Sequence, residues 1–239
     1  MTAVVTLGFC VCAIAGEGPK PPAIAQVVPV EDYVGLVASF RQHLREMLID
    51  EQTFLDSSHK VSRDAQTLAA VALVLGLDEK DHPLNGAAPA LLQAARQLAE
   101  AKHYAAAQEA MTALDRALDE QRTAAQPIKP EKVASLGQLM KQVSFAQNRL
   151  RRGARRIDDD KESKVRDAAL LAAIAQATIY DDDRLDTPAR REQWYRFCGQ
   201  MRDSAGDLSR ALRATDKEGT ERALRELGRS CDVCHAAFR

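Results

Sequence analysis

The chain has 239 residues, 46% hydrophobic and 28% charged, with 33 basic side chains against 34 acidic ones. That length holds one or two domains, and the composition excludes a disordered, collagen-like or low-complexity polymer. A net charge near zero gives no support to a general nucleic-acid binder.

The first element in chain order is a short apolar run from Ala3 to Ala15, followed by Gly16, Pro19, Pro21 and Pro22. It is too short to span a bilayer with ease. It ends in a small-residue pattern, Ala13-Ile14-Ala15, which recurs as Ala23-Ile24-Ala25. Residues 1–25 therefore read as a secretory signal segment that leaves with Cys10 and Cys12, although no Lys or Arg precedes the run. Lipid attachment at Cys10 is the lesser alternative, because bulky Phe9 stands where a small residue is wanted. No later run is long enough for a membrane span. The expected location is the periplasm or another exported compartment.

Proline is absent from 31–82, 90–126, 131–187 and from 189 onward. These stretches are rich in Ala, Leu, Arg, Glu and Gln and read as helices, since an interior Pro loses a hydrogen bond and clashes with the preceding turn. No alternating strand pattern competes. Residues 124–130 (AAQPIKP) break the pattern and divide a unit over 29–125 from a unit over 128–239.

The two units echo each other. Residues 63–72 (RDAQTLAAVA) and 166–175 (RDAALLAAIA) share seven identities in ten at a separation of 103. A weaker echo at a separation of 100 pairs Glu31 with Glu131, Leu36 with Leu136 and Gln42 with Gln142, and sets Phe40 against Met140. Both strong copies run on into an acidic turn and then a Pro, so duplication explains the order, spacing and loop chemistry together. The expected fold is all-α, two tandem antiparallel four-helix bundles.

In the second unit the expected helices are about 131–156, 162–180, 189–214 and 217–238. Trp194, Phe197, Met201, Ala205, Leu208 and Leu212 form one apolar stripe, and Val133, Leu136, Met140, Val143 and Leu150 keep the same rhythm. Arg151, Arg152, Arg155 and Arg156 close the first helix and Asp158, Asp159 and Asp160 open the second, which favours helix-end charge over a nucleic-acid patch.

The chemistry lies in the last nine residues, Cys231-Asp232-Val233-Cys234-His235-Ala236-Ala237-Phe238-Arg239. CxxCH is the attachment signature of a c-type haem: two thiols add to the porphyrin vinyl groups and the adjacent imidazole ligates the iron. Leu224, Leu227, Cys231, Cys234 and Phe238 step by three and four, so both thiols share one helix face with the core, and His235 lies four residues after Cys231. A redox CxxC would want a βαβ setting at a helix start. A zinc site lacks further close ligands, since His235 is the last His and the one before it is His103. A Cys231–Cys234 disulfide would be strained in a helix and leaves His235 without a role.

On these residues the second unit resembles the cytochrome c′ family: a four-helix bundle with CxxCH near the end of its last helix, then Phe238-Arg239. The resemblance covers about residues 128–239. It implies an up-down-up-down topology, one covalent haem c on Cys231 and Cys234, His235 as proximal ligand and Arg239 beside the proximal face. It also implies an exported, non-enzymatic protein that binds nitric oxide or carbon monoxide or passes electrons to a redox partner. Met140 falls where the family places its distal residue, either as a sixth iron ligand or as a shield. The residue four before it, where the family often has an Arg near the propionates, is Leu136. A haem enzyme acting on peroxide or nitric oxide is the alternative, but a peroxidase wants a distal His or Arg to help split the O–O bond.

Cys198 reads as a small buried hydrophobe. Trp194, Tyr195 and Tyr180 read as core residues that could flank the porphyrin. The first unit has no CxxCH; counting back 114 or 115 residues puts Arg116 to Gln121 at the attachment position, so no covalent haem is expected there. His43, His59, His82 and His103 read as surface residues. Residues 1–126 carry a net charge of −6 and residues 127–239 a net +5, which favours docking of the two units on each other. The haem-free unit would then replace the partner subunit of a cytochrome c′ homodimer.

Overall fold

A computed structural model describes residues 19–22, 24, 26–119, 128–153, 156–183 and 185–238. Most of the expected signal segment, Cys10 and Cys12 included, therefore lies outside the described residues, as do Arg239 and residues 120–127 of the linker region. Among the described residues there are eight α-helices and no strand: α1 (Val30–Met47), α2 (Glu51–Leu77), α3 (Ala88–Glu100), α4 (Tyr104–Asp119), α5 (Leu136–Gly153), α6 (Lys161–Thr178), α7 (Pro188–Arg213) and α8 (Lys217–Phe238). The all-helical expectation holds. None of these helices is long and apolar enough to cross a membrane.

Local signals set several ends. The Asp50 side chain accepts from Thr53 N–H at 2.7 Å and caps α2, and the backbone donors it meets hold its carboxyl below the usual range. Thr187 caps α7 through Arg190 N–H, with Pro188 at the first helical position, where its missing donor costs nothing. α5 begins at Leu136 instead of near 131. Residues 128–135 are held out of the helix by their partners: Arg96 bonds Glu131 at 2.7 Å, Lys132 bonds Asp181 at 2.6 Å, and Ser135 N–H donates to Gln66 at 2.8 Å. One further expectation fails for a clear reason. His82 is buried, not on the surface: its Nε2 lies 2.9 Å from the Leu75 carbonyl at the end of α2, and Leu84 N–H donates to its Nδ1.

Successive helices pack within each half, and the halves pack on each other through α2 against α6, α1 against α6 and α2 against α5. These contacts map onto themselves when α1 exchanges with α5 and α2 with α6, so the junction has pseudo-twofold symmetry. α2 from Thr67 to Leu75 and α6 from Asp167 to Thr178 are buried on every side, as the apolar runs 68–75 and 168–175 require. One hydrophobic core runs through both halves. At the junction the buried Asp64 carboxylate accepts from Gln142 Nε2 at 2.9 Å, from Arg63 at 3.0 Å and faces His43 Nδ1 at 3.1 Å.

Burial gives a sharper register than the sequence echo. The buried Tyr33, Leu36, Val37, Phe40 and Leu44 of α1 recur as Leu139, Gln142, Val143, Ala146 and Leu150 of α5, each 106 positions on, not 100. The buried Ala107, Ala110, Leu114 and Ala117 of α4 recur as Thr220, Ala223, Leu227 and Ser230 of α8, each 113 positions on. Residue 231 thus corresponds to Leu118.

The chain before α1 is also part of the packing: Ile24 and Val27 lie against the core, and Val27 sits directly on Gly206 of α7. A Cβ at Gly206 would meet Val27 Cβ at 2.6 Å and its carbonyl oxygen at 2.8 Å, whereas one at Gly35 meets nothing within 4 Å. Gly206→Ala should therefore destabilise the fold by about 1–3 kcal/mol through overpacking. Gly35→Ala should stabilise it by up to about 1 kcal/mol through helix propensity. Thermal unfolding of the two variants checks the opposite signs.

Candidate functional site

The CxxCH segment lies on unbroken helix, within α8. α8 packs closely on α7, but α5 and α8, the first and last helices of this half, stand apart. Between them is a slot of about 450 Å³, within the range of small-molecule and cofactor sites. Cys231, Cys234, His235 and Phe238 line it from α8, and Leu136, Met140, Lys141, Val143, Ser144 and Gln147 line it from α5. Thr178 of α6 and Trp194, Phe197, Cys198 and Met201 of α7 form its back. Most of that surface is apolar. The structure thus brings together four of the five residues singled out in the sequence; Arg239 lies outside the described residues.

The back of the slot is pinned by directional contacts. Trp194 Nε1 donates to the Thr178 carbonyl at 2.8 Å, which fixes the indole. Phe238 meets Trp194 edge-on at 5.3 Å and Phe197 at 6.1 Å between centroids, and the Arg190 guanidinium lies over the Phe238 ring at 4.7 Å. The end of α8 is thereby tied to the start of α7. Trp194 does flank the slot; Tyr195 instead bonds Asp182, and Tyr180 takes a hydrogen bond from Gln176.

Electrostatics keeps the thiols protonated. Burial raises Cys231 above the ordinary thiol value, opposed by a hydrogen bond from Ser230 and reinforced by Asp232. Burial raises Cys234 too, helped by Cys231. Cys198 is buried and pushed up to about 12, with Thr178 Oγ1 at 3.6 Å from its sulfur. Thiolate chemistry, whether disulfide exchange or metal binding, wants the opposite shift. Among the described residues no three His, Cys, Asp or Glu side chains are grouped to hold a metal ion by themselves.

The residues present fit a covalently held haem. A flat apolar macrocycle matches the apolar lining, and two protonated thiols and an imidazole occupy one wall. Gln147 Nε2 is buried with no acceptor in the protein although Gln147 lines the slot, so that end is built to meet a guest or a water. Met140 is half-buried in the α5 wall, across the slot from the α8 wall that carries His235. No His of the first half is among the described lining residues of the slot. Sequence reasoning missed the slot-facing position of Cys198 and Gln147; Cys198 reads there only as a small buried hydrophobe.

The corresponding seam in the first half is different. Arg41 of α1 bonds Asp115 at 2.7 Å and Asp119 at 3.0 Å on α4, Arg45 adds a second bond to Asp115 at 2.9 Å, and Leu118 stands where Cys231 stands. α3 has 13 residues against 26 in α7 and begins at Ala88, so it lacks the stretch that carries Trp194, Phe197 and Cys198.

No protein-family model, curated protein or solved structure matches the chain.

The thiol environments predict an order of reactivity. In the haem-free chain at mildly alkaline pH, iodoacetamide should modify Cys231 and Cys234 slowly and leave Cys198 untouched until the chain unfolds. Peptide mass mapping over time reads the order, and early labelling of Cys198 would contradict its burial.

Proposed function

We propose that the protein is an exported c-type haem protein whose second half is a cytochrome c′-like bundle. Cys231 and Cys234 anchor one haem c and His235 is the proximal iron ligand. Its role is to bind a small diatomic gas, nitric oxide or carbon monoxide, or to pass single electrons to a redox partner. The observation that supports it best is the placement of both thiols and the imidazole on one wall of an apolar slot between two helices that stand apart. When bound, the iron supplies a ligand position for a neutral gas and a one-electron couple.

The chain's own side chains account for the rest. Leu136, Val143, Phe197 and Met201 exclude water and disfavour charged ligands. Trp194 and Phe238 hold the end of α8 in place, so that the imidazole is aimed by a rigid helix. Met140 would shield the distal side of the bound group with an apolar side chain. Arg239, carried over from the family, would sit beside the proximal face. The polar side chains of the slot wall are Lys141, Ser144, Gln147 and Thr178, with no distal His or Arg to help split a peroxide bond, which supports a carrier or gas-binding role over an enzymatic one. The first half serves as a haem-free support docked on α5 and α6.

The decisive measurement is intact mass after expression in cells with a c-type maturation system. The exported chain should gain the mass of one haem, and Cys231→Ala with Cys234→Ala should lose it. Wild-type protein with no added mass, made beside a control cytochrome that matures, sinks the proposal. In the loaded protein, carbon monoxide added after reduction should shift the absorption bands at once, and Met140→Ala should leave the resting spectrum unchanged. A resting low-spin spectrum that ignores the gas and is lost in Met140→Ala would instead make Met140 an iron ligand.

A further inference from the structure

The pseudo-twofold junction is broken where α5 meets α2. On one side Phe145 of α5 lies under the Arg63 guanidinium of α2 at 4.9 Å, and Arg63 also pairs with Asp64. On the related side the position of Phe145 is taken by Ser39 of α1, by the 106-residue register, and that of Arg63 by Arg166 of α6, by the 103-residue register. With no ring to cover it, Arg166 borders a groove of about 270 Å³ between α1, α5 and α6. Arg166 is partly buried and makes no hydrogen bond or ion pair with any described residue, and neither do the hydroxyls of Ser39 and Ser163 in the same groove.

The other charged lining groups are already matched. Asp167 is the carboxylate of the groove, and Arg149 engages both of its oxygens, at 2.9 and 2.5 Å. His43 spends Nδ1 on Asp64 and keeps its second ring nitrogen. What remains without a protein partner among the described residues is one guanidinium and one hydroxyl on the partly buried Arg166 and Ser163, and one hydroxyl and one imidazole nitrogen on the exposed Ser39 and His43, all lining one groove from two helices of different halves. That set is a donor-rich cradle with one uncompensated positive charge.

We propose that this groove binds a small oxyanion, held by Arg166 and Ser163 of α6 and by Ser39 and His43 of α1. Its volume suits a phosphate or a short carboxylate and is too small for a nucleotide. A bound anion bridges the two halves, because its ligands come from both. The slot lies at the other end of α5 and α6, so this proposal does not rest on the haem reading.

The test is an NMR titration of the isotope-labelled full chain at constant ionic strength, with inorganic phosphate in one arm and malonate in the other. Saturable shifts of the Ser39, Ser163 and Arg166 amides are expected, with a dissociation constant on the order of 1 mM. Arg166→Gln should weaken binding at least about tenfold, since a hydrogen-bonded charge is lost. Ser39→Phe, which restores the arrangement of the related side, should close the groove and abolish binding while the unfolding temperature is kept. Saturation by malonate alone identifies a carboxylate site, and by phosphate a phosphate site. No saturable shift in either arm, or equal affinity in Arg166→Gln and Ser39→Phe, overturns the proposal.

Discussion

The architecture depends on one contact, that of α2 on α6. Both helices are apolar on every side over their middle turns, so neither can face water, and each supplies the surface that buries the other. Alanine lets the helices approach closely, and the two buried carboxylates of these helices are matched, Asp64 by Arg63, His43 and Gln142 and Asp167 by Arg149. Of these partners Gln142 alone comes from the other half, and its bond ties Asp64 across the junction. With α6 committed to α2, the second half has its outer helices, α5 and α8, left to border a slot.

The two halves share a register yet differ in how their outer helices meet. In the first half Arg41 and Arg45 tie α1 to Asp115 and Asp119 on α4. In the second half the position of Arg41 is Gln147, and the positions of Asp115 and Asp119 are Gly228 and Asp232. The tie is gone, and Gln147 is left with an unanswered buried donor. The added N-terminal half of α7 then supplies Trp194, Phe197, Cys198 and Met201 to back the opening. Loss of a cross-seam ion-pair set and extension of one helix are enough to turn a closed bundle edge into a cofactor-sized slot.

Much of this was legible in the sequence, for identifiable reasons. Proline spacing marked the helices of the second half to within a few residues because Pro acts locally on the backbone. The three–four phase of Leu227, Cys231 and Cys234 placed both thiols on the inward face because α8 is straight and amphipathic. The start of α5 was not legible: Glu131, Lys132 and Ser135 are drawn to Arg96, Asp181 and Gln66, all distant in sequence. The register of α1 on α5 was hidden as well, because residue identity there has drifted while burial has not. His82 looked like any polar loop residue until the end of α2 supplied the carbonyl that its ring answers.

Symmetry and its breaking connect the two candidate sites. In a pseudo-twofold arrangement features come in pairs, so a cavity on one side alone marks a position where the two halves differ. Ser39 opposite Phe145 leaves Arg166 uncovered, and Gln147 opposite Arg41 leaves a seam untied. In the slot the change leaves the Gln147 amide buried without a partner among the described residues, at a cost of about 1–3 kcal/mol, whereas Arg166, Ser39 and His43 in the groove keep access to water. A marginally stable fold holds few such groups unless something outside the chain answers them. The buried amide of Gln147 supports the proposal of a guest in the slot, and the uncovered Arg166 supports the proposal of a small anion in the junction groove.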